Sequence, residues 1–161
     1  MPSAARRTRS APAIDIVVES PLWRDEPDAS VVIRRAIGAA AEMTEARAER
    51  AVAVMLCDDG AMRELNGRWR GRAEPTNVLS FPAAGGAGTL GDIAIGYETT
   101  AREAEAEGKS FPDHLAHLAV HGFLHLVGYD HQSDAEAAAM ERLEVAILAR
   151  LGVADPYGTA T

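Results

Sequence analysis

Cysteine occurs once in 161 residues, at Cys57. A lone thiol excludes an internal disulfide and suits a reducing compartment, so a cytoplasmic chain is expected. It ends an apolar run, residues 51–57, where a buried small hydrophobe is expected. No run of about 18 apolar residues occurs, so no membrane span is expected. The N-terminus lacks the apolar core of a signal peptide. Positive charge is in deficit, with 16 Lys and Arg against 24 Asp and Glu and a net charge of −8, an unusual balance for a chain that would bind nucleic acid. Four of the five histidines fall within residues 117–131, and the rest of the chain is read around that cluster.

His121 and His125 are four apart, so on a helix they stand one turn apart on one face. Gly128 follows where a left-handed residue stops a helix and turns the chain, and His131 comes three residues later. The pattern is His-x3-His-x2-Gly-x2-His. A reversal at Gly128 can return a third imidazole towards the first two, and three imidazoles with an open fourth position make a catalytic zinc site. Metzincin peptidases share this spacing, but they carry Glu directly after the first His as general base. Gly122 stands there instead. The ligand spacing is kept and the peptidase base is missing. The competing set His117, His121 and His125 spans about 12 Å along a helix, too far for one ion with metal–nitrogen bonds of about 2.1 Å. His117 therefore reads as an outer-shell or substrate residue. Asp130 either orients a ligating ring or is a turn residue bonding its own backbone.

In chain order, residues 1–12 read as a tail in which Arg6, Arg7 and Arg9 stand among Ser, Ala and Pro. It is either a basic arm or an unselected flexible end. Alternation at Ile14, Ile16 and Val18 predicts a strand over 13–19. A helix is expected over about 28–41, with Val32, Ile33, Ala36 and Ile37 on one face. Residues 51–57 are expected to be a strand buried on both sides. Asp58 and Asp59 then cap a helix that ends near Asn66-Gly67. Short strands follow at 78–81 and 92–95, joined by a glycine-rich loop. An exposed acidic helix is expected over 97–107. Ser110 caps the next helix, apolar nearly all round and hence central, and Ser133 caps the last, with Met140, Leu143, Ile147 and Leu151 facing in. The fold class expected is α+β, a small mixed sheet covered by helices around a buried metal-binding helix, in one domain over 13–157.

Local charge runs against the overall acidity over residues 63–72, where Arg63, Arg68, Arg70 and Arg72 stand against one Glu. Trp69 among them either stacks on an RNA base or belongs to the core.

The string His121-Gly122-Phe123-Leu124-His125-Leu126-Val127-Gly128-Tyr129-Asp130-His131 resembles the motif of the YbeY family of bacterial endoribonucleases. So do Pro75-Thr76-Asn77-Val78-Leu79-Ser80-Phe81-Pro82, Gly91-Asp92-Ile93-Ala94-Ile95, Leu151-Gly152 and Asp155-Pro156-Tyr157, and the resemblance covers about 50–157. It implies a zinc-dependent endoribonuclease specific for single strands, with one zinc held by His121, His125 and His131. It implies Arg70 as the catalytic arginine, stabilising charge on the phosphate, with Arg63, Arg68, Arg72 and Asn77 holding RNA. Asn77 either lines the cleft or caps the turn before the strand. Further implications are work on ribosomal RNA (maturation of the small-subunit 16S RNA 3′ end and ribosome quality control) and contact with the small ribosomal subunit and a ribosome-assembly GTPase. Two other readings stay open: an assembly factor with structural zinc, and a metal-dependent hydrolase of another substrate.

Overall fold

The structure, a computed structural model, describes residues 12–44, 50–71, 76–83, 88–130 and 132–157, with Arg70 described by its backbone alone. The expected basic tail lies outside the described residues except for Pro12. The elements are β1 (Ile14–Val18), a 3-10 turn (Pro21–Asp25), α1 (Ala29–Thr44), β2 (Ala51–Cys57) and α2 (Asp59–Arg70), then β3 (Val78–Pro82), β4 (Thr89–Gly96), α3 (Tyr97–Ala106), α4 (Phe111–Leu126) and α5 (Asp134–Arg150). No helix among the described residues is long and apolar enough to cross a membrane.

The strands form one mixed sheet in the order β1-β2-β4-β3. β1, β2 and β4 run parallel, and β3 pairs antiparallel with β4 as an edge strand, Ser80 opposite Ile93. Period-2 geometry sends alternate side chains to opposite faces. Val52, Val54, Leu56, Ile93 and Ile95 join the main core, where α4 lies on β3 and β4, flanked by α1, and α5 packs against both helices. Met55, Cys57, Leu79, Phe81 and Ala94 point the other way, into a smaller cluster with Met62 and Leu65 of α2. The α+β class is as expected, and so is the central position of α4. Leu115, Val120, Phe123 and Leu124 of that helix are fully buried. Side chains of this size each stabilise the fold by about 1.5–3 kcal/mol through burial, so α4 is a rigid carrier for whatever it displays.

Local chemistry fixes the ends of the helices. Ser110 Oγ accepts from the Asp113 backbone N–H at 3.2 Å and Ser133 Oγ from that of Glu136 at 3.1 Å, the two caps expected. Trp23 donates from Nε1 to the Cys57 carbonyl at 2.9 Å. Its ring stands edge-on to Tyr97 and Phe111 at centroid distances of 5.3 and 5.7 Å, which clamps the first turns of α3 and α4 together. Cys57 is buried; desolvation, with Glu19 and Asp58 nearby, pushes its thiol up to about 11.

Several expectations are corrected. α2 runs through Asn66-Gly67 to Arg70 and is capped by Gly71. Asn66 is buried, and packing of that helix face overrides the turn preference of the Asn-Gly pair. Asp58 does cap α2, accepting from the Ala61 N–H at 2.8 Å. Asp59 instead accepts from the Thr99 N–H and hydroxyl at 3.1 and 3.0 Å, and so ties α2 to α3. That tie explains why α3 is not a wholly exposed helix: Thr99, Thr100 and Ala104 are buried. β4 begins at Thr89, earlier than expected, because its partner β2 supplies a ladder that reaches back to Ala51. β2 is fully buried on the α4 side and only partly covered on the α2 side.

Candidate active site

α4 sets four histidines in a row, at 114, 117, 121 and 125, on the helix surface that α3 and α5 leave for polar groups. Ring centroids lie 6.1 Å apart for His114–His117, 6.3 Å for His117–His121 and 4.6 Å for His121–His125. The last pair is the close one. Its Nε2 atoms face each other at 3.1 Å. The helix then stops in a Schellman motif, with Tyr129 N–H on the Leu124 carbonyl at 3.0 Å and Gly128 N–H on that of His125 at 3.2 Å. Gly128 has φ 108°, a left-handed conformation that side chains disfavour. The reversal expected from the sequence is therefore built. His131 lies outside the described residues, and Asp130 is exposed just after the turn.

The residue that organises this row is Glu144 of α5, which the sequence reading passed over. It is 0% exposed. His121 donates from Nδ1 to Glu144 Oε2 at 2.5 Å. His117 donates from Nε2 to Oε1 at 3.1 Å, and the Tyr157 hydroxyl donates to the same oxygen. Burial alone would push this carboxyl up; hydrogen bonds from His117, His121 and Tyr157 outweigh it and hold the group down at about 2. Burial and the same carboxylate raise the Tyr157 phenol, so it stays a donor. With Nδ1 committed to Glu144, Nε2 is the nitrogen that His121 turns towards His125.

Two nitrogens held about 2.1 Å from one tetrahedral ion stand about 3.4 Å apart, close to the 3.1 Å between the two Nε2 atoms. A carboxylate on the far nitrogen of a ligating ring is also what an imidazole metal site requires. His121 and His125 thus fit a zinc ion. Among the described residues no group of three His, Cys, Asp or Glu is placed to hold a metal, and the third expected ligand lies outside them. His117 sits on Glu144 and Tyr157 rather than beside His125.

The other expected residues are dispersed. Asn77 lines a cleft of about 610 Å³ together with Glu103, His114, His117 and Tyr157. Its amide donates to Glu103 Oε1 at 3.0 Å, and its Oδ1 accepts from the Val78 N–H at 2.6 Å, so it both faces the cleft and caps the strand. His114 meets the same Glu103 oxygen at 2.8 Å. Arg63 and Arg68 are exposed on α2, with Arg68 3.9 Å from Glu64. Arg70 is the last residue of α2, and Arg72 lies outside the described residues.

Gly122, where a peptidase would carry its base, faces the sheet. Its carbonyl accepts from Ser80 Oγ at 2.9 Å. A Cβ there would stand 3.1 Å from Ile93 Cγ2, 3.2 Å from Ser80 Oγ and 3.3 Å from Val78 Cγ2. A side chain there would crowd the sheet, and the glutamate is absent from the sequence.

Comparison with known proteins places the chain in a family. A sequence model described as Endoribonuclease YbeY matches residues 20–152. The chain belongs to the YbeY family. It is 56% identical over 155 residues to the Endoribonuclease YbeY of Rhodopseudomonas palustris (strain BisA53), covering 91% of this chain and 90% of the relative. It is 51% identical over 174 residues to that of Nitrobacter winogradskyi, covering 97% and 92%. In fold it resembles the solution structure of TM1509 from Thermotoga maritima, with a TM-score of 0.50 at 22% identity, over 91% of this YbeY-family chain and 96% of the other. The match starts at residue 20 and so takes in α1, upstream of the stretch in which the resemblance was legible.

Proposed function

We propose that this chain is a zinc-dependent endoribonuclease that cuts single-stranded RNA. The observation that carries the reading is the pair of facing Nε2 atoms on His121 and His125, with His121 pinned by the buried Glu144, in a chain of the YbeY family. His121, His125 and His131 hold one zinc. Zinc bound there supplies a Lewis acid for a phosphoryl oxygen and lowers the pKa of a bound water to about 7. Glu144 fixes the His121 tautomer, while His117 and Asp130 act from outside the ligand set. Arg70 stabilises charge on the scissile phosphate; Arg63, Arg68, Arg72 and Asn77 hold the strand. The substrate proposed is ribosomal RNA in the cytoplasm, in maturation of the small-subunit RNA 3′ end and in ribosome quality control, with the small ribosomal subunit and an assembly GTPase as partners. Cys57 argues against a closed structural zinc site, since it packs with Met62 and Leu79 on the sheet face opposite α4.

The test pairs zinc analysis with cleavage of unstructured RNA, duplex RNA and casein. Unstructured RNA is expected to be cut, duplex RNA more slowly and casein not at all. Casein hydrolysis that vanishes in His121→Ala would overturn the proposal.

Glu144→Gln tests the orienting carboxylate. Three donors converge on Glu144, and a carboxylate has lone pairs for all of them, whereas an amide has one accepting oxygen. With that oxygen kept by His117 and Tyr157, the NH2 faces His121 Nδ1. The ring then shifts its proton to Nε2, the nitrogen needed by the metal. Zinc affinity is expected to fall roughly 10- to 100-fold, measured by chelator competition. Tyr157→Phe removes one donor without turning His121 and is expected to keep zinc. Parental zinc affinity in Glu144→Gln would remove the orienting role.

A further inference from the structure

We infer that the groove between α2 and the open face of the sheet is a stacking site for one unpaired RNA base, with Trp69 as its platform. The inference rests on the endoribonuclease reading for its choice of RNA and adds a subsite to it.

Trp69 is 64% exposed, whereas Trp23 is 3% exposed. An exposed indole keeps its burial energy available to a partner, because aromatic rings of this size carry much of the burial energy of cores and interfaces. The ring is nonetheless held in place. It meets Phe81 at a centroid distance of 6.1 Å and an interplanar angle of 60°. Together with Met55, Leu65, Pro82 and Thr89 the two rings line a groove of about 410 Å³, the size of a small-molecule site.

The helix that carries the platform also carries cationic groups. At 100° per residue, Met62, Leu65 and Trp69 share one stripe of α2, and Arg63 and Arg68 stand outside the groove lining, about 120° and 100° round the helix from Trp69. Both arginines are exposed. An exposed aromatic platform suits an unpaired base, and exposed arginines on the same helix suit the phosphates of the strand that carries it. The groove also contains Asp92, which can accept from a base amino group.

The sheet edge separates this groove from the helix that carries the histidines. β3 is the sheet edge, with Ser80 bonded to the Gly122 carbonyl on the α4 side and Phe81 against Trp69 on the other. A strand that crosses the β3 edge reaches both faces, and Trp69 directly precedes Arg70.

The experiment titrates zinc-loaded protein against a dye-labelled 2′-O-methyl single strand, which binds without a free 2′-hydroxyl, and follows dye anisotropy in parent and variants and tryptophan fluorescence in the parent, with RNA cleavage assayed in parallel. Quenching is expected in the parent. Trp69→Leu is expected to bind at least tenfold more weakly and Trp69→Phe within about threefold of the parent, in line with the roughly 5- to 150-fold carried by one base–aromatic stack, at unchanged zinc content. Parental affinity in Trp69→Leu overturns the stacking site and, with cleavage retained, leaves the endoribonuclease reading standing. A parent that neither binds nor cuts single strands overturns both. Trp69→Leu that turns a dimer into a monomer at parental RNA affinity makes the groove a contact between copies of this chain, and also overturns it.

Discussion

His125→Ala is expected to lose its zinc and its RNA cleavage, while His114→Ala keeps both and loses only stability. The two histidines sit on one helix, but their surroundings separate them. His125 Nε2 faces His121 Nε2 at 3.1 Å, close to the spacing of two ligands on one ion. His114 Nε2 is bound to Glu103 at 2.8 Å, its side chain 4% exposed, and its Nδ1 has no partner among the described residues. In the proposed site His125 is a ligand, so the loss of zinc affinity on its removal should exceed the roughly 10- to 100-fold that follows from losing an outer partner. Removing His114 leaves a cavity and strips Glu103 of one donor, which costs about 1–3 kcal/mol. Metal content per chain, thermal unfolding and single-turnover cleavage on the same samples separate the cases. Equal zinc loss in both variants would dissolve the assignment, and so would full zinc in His125→Ala.

The parts of this fold that were legible are those where one physical signal acts alone. The apolar run 51–57 gave β2 at its full length, since β-branched and apolar residues without a break leave little choice. Ser110 and Ser133 announced their helices because a hydroxyl three residues ahead of a free N–H has one use there. The end of α2 was missed where two signals conflict: Asn-Gly favours a turn, and burial of Asn66 against the fold favours helix. Strand order was hidden because β2 pairs with β4 across α2 and β3, and nothing local records that pairing. Glu144 was missed for a different reason. It lies in a helix rich in acids and reads as a surface charge. Its position gives it away, since Met140, Leu143, Glu144, Ile147 and Leu148 lie along one stripe, and a carboxylate inside an apolar stripe has to meet donors when it is buried. The donors were there to be found, two of them in the histidine row. Trp69 is the converse, an aromatic with both a core and a surface reading until its exposure was seen.

Arg70→Lys is expected to keep zinc and most RNA affinity and to lose roughly 100- to 1,000-fold in turnover, the worth of one donor aimed at developing transition-state charge. The argument turns on geometry rather than on charge. If the arginines of 63–72 act only as an attracting field, each is replaceable by lysine at little cost, and each neutralisation weakens binding modestly while flattening its salt dependence. Guanidinium presents two parallel donors that match two phosphate oxygens, whereas ammonium is a point charge on a flexible stem. Substitution by Lys holds the charge and removes the fork. Arg70 is the last residue of α2, with its backbone fixed by the Gly71 cap that follows, whose N–H bonds the Asn66 and Gly67 carbonyls, so its Cα is anchored on a helix end. Arg72→Lys is the matched control and should cleave at nearly the parental rate. Single-turnover cleavage at saturating protein reads the chemical step, with binding measured on the 2′-O-methyl strand and zinc on the same samples. Parental cleavage by Arg70→Lys makes Arg70 a tether for the phosphate backbone and moves transition-state stabilisation to another residue of the site.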